Sequence, residues 1–275
     1  MKTTTKRALA IFAGSALLVT LSSCSSSKSS ASSCEDTVTP GKLTIATGEP
    51  AYYPWVIDDK PESGEGFEAA VANAVATKLG YETVDVKWVR TSFDSAIAPG
   101  EKTFDFNIQQ FSITEDRKKA VDFSSAYYTA PQAVVSYKGS AIEGKTTLAD
   151  LAGAKLGAAV GTTSLDAIKD QIGSQPQVFN DNAAGVTALK NGQIDGLVVD
   201  LPTAFYLSGV EVENGLIVGQ LPSTGAGDQF GLLLGKDSGF TQCLTDAVDA
   251  LKEDGTIDGL AETWLGNDAG APVLK

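Results

Sequence analysis

Between Asp105 and Arg117 the chain reads Asp-Phe-Asn-Ile-Gln-Gln-Phe-Ser-Ile-Thr-Glu-Asp-Arg. A strand-like run passes into a polar turn where Thr114 can cap a helix, with Arg117 in its first turn. A cation at that end opposes the helix dipole. An anion shared by the guanidinium and the free backbone N–H groups would relieve the opposition, since arginine grips a carboxylate at two points. A solvated charged face from Glu115 to Lys119 is the other reading. Gly161-Thr162-Thr163 is a second turn offering N–H groups, equally suited to plain threonine capping. Asp200 ends the apolar run Leu197-Val198-Val199 just ahead of Pro202 and, taken alone, reads as a helix cap.

Positioning these groups requires alternating strands and helices. Strand-like runs at Lys42–Thr47, Val84–Val89 and Phe104–Gln109 interleave with helical spacing at Gly66–Leu79 and Phe93–Ala98. A second series has strands at Lys155–Val160 and Gly196–Val199 and helices at Ser164–Ile172, Asn182–Lys190 and Pro202–Leu207. These are two βα blocks with no fixed repeat, and βα alternation implies parallel sheet. Tyr128–Tyr137 and Asp228–Leu234 are extended stretches placed to carry the chain into a second lobe and back. Two helices, Phe240–Leu251 and Ile257–Leu265, are expected to return to the first lobe. The boundaries are 41–130 with 228–275 for lobe 1 and 131–227 for lobe 2.

Composition narrows the chemistry. The 275 residues include 34 Asp+Glu against 21 Lys+Arg, three cysteines and no histidine. Without imidazole there is no Ser-His-Asp or Cys-His nucleophile and no histidine-bearing zinc site. A net charge of −13 disfavours nucleic acid and anionic membrane faces as partners.

Residues 1–23 read as an export leader: Lys2, Lys6 and Arg7, then an uncharged run from Leu9 to Leu21 too short to span a bilayer. Leu21-Ser22-Ser23-Cys24 resembles a bacterial lipobox, which implies lipidation of Cys24 and attachment to the outer face of the cytoplasmic membrane. Seven of the nine residues from Ser25 to Ser33 are serine, a flexible tether within residues 24–40. With Cys24 lipidated, export favours a disulfide between the remaining Cys34 and Cys243. Removing the leader takes three basic residues and no acid, so the exported chain carries 18 − 34 = −16.

Ser112 to Phe123, S-I-T-E-D-R-K-K-A-V-D-F, resembles the signature of family 3 extracellular solute-binding proteins, the amino-acid receptors of ABC importers. Thr47 to Trp55, Gly66-Phe67-Glu68, Gly157 to Thr163, and Asn191 to Asp195 with Val199-Asp200 resemble further family motifs in the right order. The resemblance implies a two-lobed α/β fold of the type II periplasmic-binding-protein kind, its lobes closing on a small ligand. It implies that Arg117, with Ser112 and the Thr163 N–H in the Gly161-Thr162-Thr163 turn, takes a ligand α-carboxylate, and that Asp200 takes the α-ammonium. Glu49, Tyr52, Trp55, Gln109, Gln110 and Phe111 would line the rest of the site. Adjacent glutamines at 109 and 110, where many members have small residues, narrow it.

Glu68-Ala69-Ala70 departs from the family's Asp-x-Asp pattern in a region expected to be structural. With the two ends of a zwitterion balanced, Glu49 is the formal charge left for the side chain, which favours a basic amino acid over a neutral polar one. A membrane permease is the implied partner; a monomer is expected, with no cofactor or metal. The alternatives on the same fold are an enzyme such as a cyclohexadienyl dehydratase-like lyase or a lytic transglycosylase, with Glu49 as its acid, and a ligand-sensing domain.

Overall fold

The computed structural model describes Cys34 and residues 37–223, 227–266 and 270–275. The expected leader, Cys24 and most of the tether lie outside these residues. The first lobe begins with β1 (Leu43–Thr47), α1 (Phe67–Lys78), β2 (Val86–Arg90), α2 (Phe93–Ile97), β3 (Phe106–Asn107) and β4 (Val121–Ala130). The chain then enters the second lobe through β5 (Gln132–Tyr137), followed by α3 (Leu148–Leu151), β6 (Leu156–Ala159), α4 (Thr163–Ala167), β7 (Gln177–Phe179), α5 (Asn182–Lys190), β8 (Gly196–Asp200), α6 (Leu201–Tyr206) and β9 (Gly215–Gln220). It returns through β10 (Asp228–Gly235) to α7 (Thr241–Glu253) and α8 (Thr256–Leu265).

Two five-stranded mixed sheets result, ordered β2-β1-β3-β10-β4 and β7-β6-β8-β5-β9. Strand alternation feeds opposite faces of each. In β10, Phe230, Leu232 and Leu234 join a core with α1, α7 and α8, whereas Leu233 joins a smaller one with Phe104, Phe111 and Val121. In β8, Leu197 and Val199 pack with α5 and α6, and Val198 packs with Leu165 and Ile168. Coverage on both faces explains why β1 and β6 are buried throughout, without polar alternation.

The expected single extended stretch Tyr128–Tyr137 is two strands broken at Pro131, which has no N–H to donate to a ladder. The expected strand Phe104–Gln109 shortens to Phe106–Asn107, because Gln110 turns into a left-handed conformation with φ 50°. Strands β7 and β9 lay in segments with no element assigned from the sequence.

The assignment of 228–275 to lobe 1 needs correction at its end. Residues 270–275 pair with the second lobe: Gln220 N donates to Pro272 O at 2.9 Å, Leu274 N to Gln220 O at 2.9 Å, and Leu148 N to Lys275 O at 2.9 Å. Leu274 is 2% exposed in the core beside Leu156 and Leu221, so apolar burial holds this segment there. Cys34 and Cys243 form a disulfide that ties the N-terminal segment to α7. Among the described residues no helix is long and apolar enough to cross a membrane.

Candidate functional site

A cavity of about 290 Å³ lies between the lobes. Its first-lobe wall comes from the loop after β1 (Glu49, Tyr52, Trp55), the start of α2 (Phe93, Asp94) and the turn after β3 (Gln109, Gln110, Ser112, Arg117). Its second-lobe wall comes from the turn after β6 (Thr162, Thr163), the loop into α5 (Asn180, Asp181) and the end of β8 (Asp200). Five carboxylates, on Glu49, Glu68, Asp94, Asp181 and Asp200, face it against one guanidinium.

Arg117 is held on three sides. Its Nη1 donates to the Ser112 carbonyl at 2.7 Å, its Nη2 reaches across to the Gly161 carbonyl at 2.8 Å, and its Cζ lies 5.3 Å from the Phe93 ring centroid. The turn carrying it is a single 3-10 turn, Arg117–Lys119, preceded by Asp116 and not by Thr114 at the cap position; the Arg117 N–H donates to Thr114 Oγ1 at 3.2 Å. The helix that Thr114 was expected to cap amounts to this one turn, because β4 begins at Val121. Burial pulls the guanidinium down, opposed by Asp228, Asp166 and Asp200, and the group stays charged.

Across the cavity, Gly161 adopts φ 73°, and Thr162 caps α4 by accepting from the Leu165 N–H at 3.2 Å. Ser112 and Thr163 hydroxyls meet at 3.2 Å between the lobes. Asp200 Oδ1 accepts from Gln132 Nε2 at 2.7 Å. Burial first, and then the neighbouring Asp228, push the Asp200 carboxyl up to about 7; Gln132 and Arg117 hold it down.

Of the residues expected at the site, Glu49, Tyr52, Trp55, Gln109, Gln110, Ser112, Arg117, Thr162, Thr163 and Asp200 line the cavity. Phe111 does not: it is fully buried and stacks behind Phe93, ring centroids 4.6 Å apart. Gly161 offers its carbonyl to Arg117 without lining the wall. Trp55 is at once wall and core, 1% exposed, with Nε1 donating to Thr203 Oγ1 at 2.8 Å across the lobes. Glu49 is exposed at the rim, which removes the desolvation argument that gave it special weight. It is also one of several acids there.

Glu68, expected to be merely structural, is buried in the cavity floor. It accepts from the Gln110 N–H at 2.7 Å and from Gln110 Nε2 and the Tyr127 hydroxyl, and burial pushes it up to about 7. Gln110 is therefore committed to Glu68, and Gln109 is the glutamine whose Oε1 has no partner. Tyr52 also keeps a buried hydroxyl without a hydrogen-bond partner, pushed up to about 12 by burial and Asp181. The reading of α2 included Phe93 without giving it a place in the site. Asp94 and Asp181 line the cavity from α2 and the loop into α5, and Gln132 meets Asp200 from the start of β5; packing across long sequence separations gives each its place.

Residues 43–267 match the bacterial extracellular solute-binding proteins, family 3. The chain belongs to that family. Among its relatives, a probable histidine-binding protein of Campylobacter jejuni is 29% identical, over 89% of this chain and 93% of its own length. The arginine-binding extracellular protein ArtP of Bacillus subtilis is 27% identical, over 94% of this chain and 98% of its own. An ancestral arginine-binding protein solved with bound glutamine superposes with a TM-score of 0.70 at 33% identity, covering 83% of this chain and all of that one. This family's architecture of two lobes about one cavity is the one described above, and its named relatives are binding proteins. Among the described residues no cluster could hold a metal ion.

Proposed function

We propose that the protein is the extracytoplasmic receptor of an ABC importer and binds one amino acid between its lobes. The observation that carries this is a charge arrangement: Arg117 on the first lobe and Asp200 on the second line one small cavity. In this reading the α-carboxylate lies on Arg117, the Ser112 hydroxyl and the Thr163 N–H at the start of α4, and the α-ammonium lies on Asp200. Because each charge comes from a different lobe, a zwitterion joins them only when the cleft shuts, and ligand binding drives closure.

A basic side chain fits best. After Arg117 and Asp200 are balanced, Glu49, Asp94 and Asp181 still face the cavity with no further cation on its wall. The exposed position of Glu49 also argues against the enzyme reading, since a catalytic acid benefits from the enclosure that raises its pKa. Lipidation at Cys24 would hold the receptor at the outer membrane face beside its permease, as a monomer. A thermal-shift screen over the twenty amino acids is the test: arginine or lysine should raise Tm more than glutamine does. The reverse ranking removes the basic preference, and no response to any amino acid removes the reading itself.

A further inference from the structure

The crossing between the lobes holds a polar group that the binding reading leaves unused. Gln132 opens β5 directly after Pro131 and is 5% exposed. It is the cross-strand partner of Asp200, so their side chains stand on the same face of the sheet. Asp228 opens β10 opposite Ala130, two residues back along the chain. Gln132 Nε2 donates to Asp200 Oδ1 and to Asp228 Oδ2, each at 2.7 Å, while its Oε1 accepts from the Ser164 hydroxyl. Two carboxylates can only face the amide's N–H pair, so the orientation of the amide is fixed. Thr163 Oγ1 adds a longer contact to Asp228 Oδ2 at 3.4 Å.

We infer that Gln132 is a positioning residue for ligand binding: its amide stands between a first-lobe and a second-lobe carboxylate and holds the Asp200 carboxylate oriented for the ligand ammonium. The inference rests on the reading that Asp200 takes that ammonium. Gln132 occupies one Asp200 oxygen; among the described residues the other has no hydrogen-bond partner. The charged and titratable groups around Asp200 are Asp228 from β10, Glu68 from α1, Tyr127 from β4 and Arg117 from the turn before β4. The acids disfavour the ionised form, and Gln132 and Arg117 favour it. Removing the amide leaves Asp200 and Asp228 to repel each other unscreened, and removing the Asp228 charge relieves Asp200.

The test follows the Asp200 carboxyl by carbon NMR in the unliganded protein, assigned by its loss in Asp200→Asn, in wild type, Gln132→Met and Asp228→Asn. The Asp200 midpoint should move up in Gln132→Met and down in Asp228→Asn. In calorimetry with L-arginine as the probe, Gln132→Met should weaken binding about tenfold near pH 6, with the deficit closing above about pH 8. Asp228→Asn preserves side-chain shape and guards against a misfolded Gln132 variant. Unmoved midpoints in both variants, or a loss of affinity by the same factor at every pH, would overturn the inference. Wild-type affinity in Asp200→Asn overturns it too, by removing the reading beneath it, and the NMR midpoints tell that failure apart from the others.

Discussion

The two lobes share one strand plan and divide the chemistry. In each, the first strand lies between the second and third, and a strand arriving from the other lobe lies antiparallel beside the third: β10 against β3, β5 against β8. Yet the first lobe presents a guanidinium from a turn after its third strand, and the second presents a carboxylate from the end of its own. Their cores differ as well. Trp55, Phe67, Tyr127 and Phe230 crowd the first, which carries the disulfide, whereas the second is filled mainly by Val, Leu, Ile and Ala. A shared topology thus presents Arg117 from one lobe and Asp200 from the other, and in the proposed reading a zwitterion needs both.

The contributions of the two lobes separate when Arg117 and Asp200 are removed one at a time. Arg117→Ala should weaken amino-acid binding about a thousandfold with little change in unliganded Tm, because in the proposed reading it deletes a desolvated charged contact to the ligand carboxylate. Asp200→Asn should cost about a hundredfold, as a neutral amide keeps one hydrogen bond to the ammonium. Calorimetry on both variants checks this; an effect confined to one lobe would end the idea of a divided clamp.

Differences in stability between the lobes can be sharpened similarly. Cys243→Ser opens a link across 209 residues of sequence and should lower stability by about 3 kcal/mol. Hydrogen exchange should show protection falling in α1 and α7, with β6 and β8 unaffected. A smaller effect concerns Glu68. Burial raises it from 4.5 to about 7, so the folded form holds its proton more tightly than the unfolded chain does. Its contribution to stability is present below about pH 4.5 and declines as pH rises through 7. Glu68→Gln should flatten Tm across that window; an unchanged slope would show that Glu68 does not titrate there.

Much of the plan was legible in the sequence because periodicity and turn chemistry are local. Helix α5 falls on Asn182–Lys190 as its spacing directs, and β1, α7 and α8 lie within two residues of expectation. The motifs from Ser112 to Arg117 and from Gly161 to Thr163 placed the two turns that meet across the cavity. What stayed hidden depends on packing across long sequence separations. Phe111 and Phe93 have the same local character, and only their stacking decides which faces the cavity. Glu68 is the second residue of α1, and only the closure of Tyr127 and Gln110 over its carboxylate places it in the cavity floor. The short β7 and β9, and the return of residues 270–275 to the second lobe, are fixed by neighbours that no local pattern announces.

In the proposed reading, both ends of one zwitterion are needed to join the lobes. This requirement is tested most directly by calorimetric titration with L-arginine, agmatine, which lacks the carboxylate, and 5-guanidinopentanoate, which lacks the ammonium. Arginine should give heat and saturation, and neither analogue should give any at matched concentrations. Binding of either analogue within tenfold of arginine would contradict it.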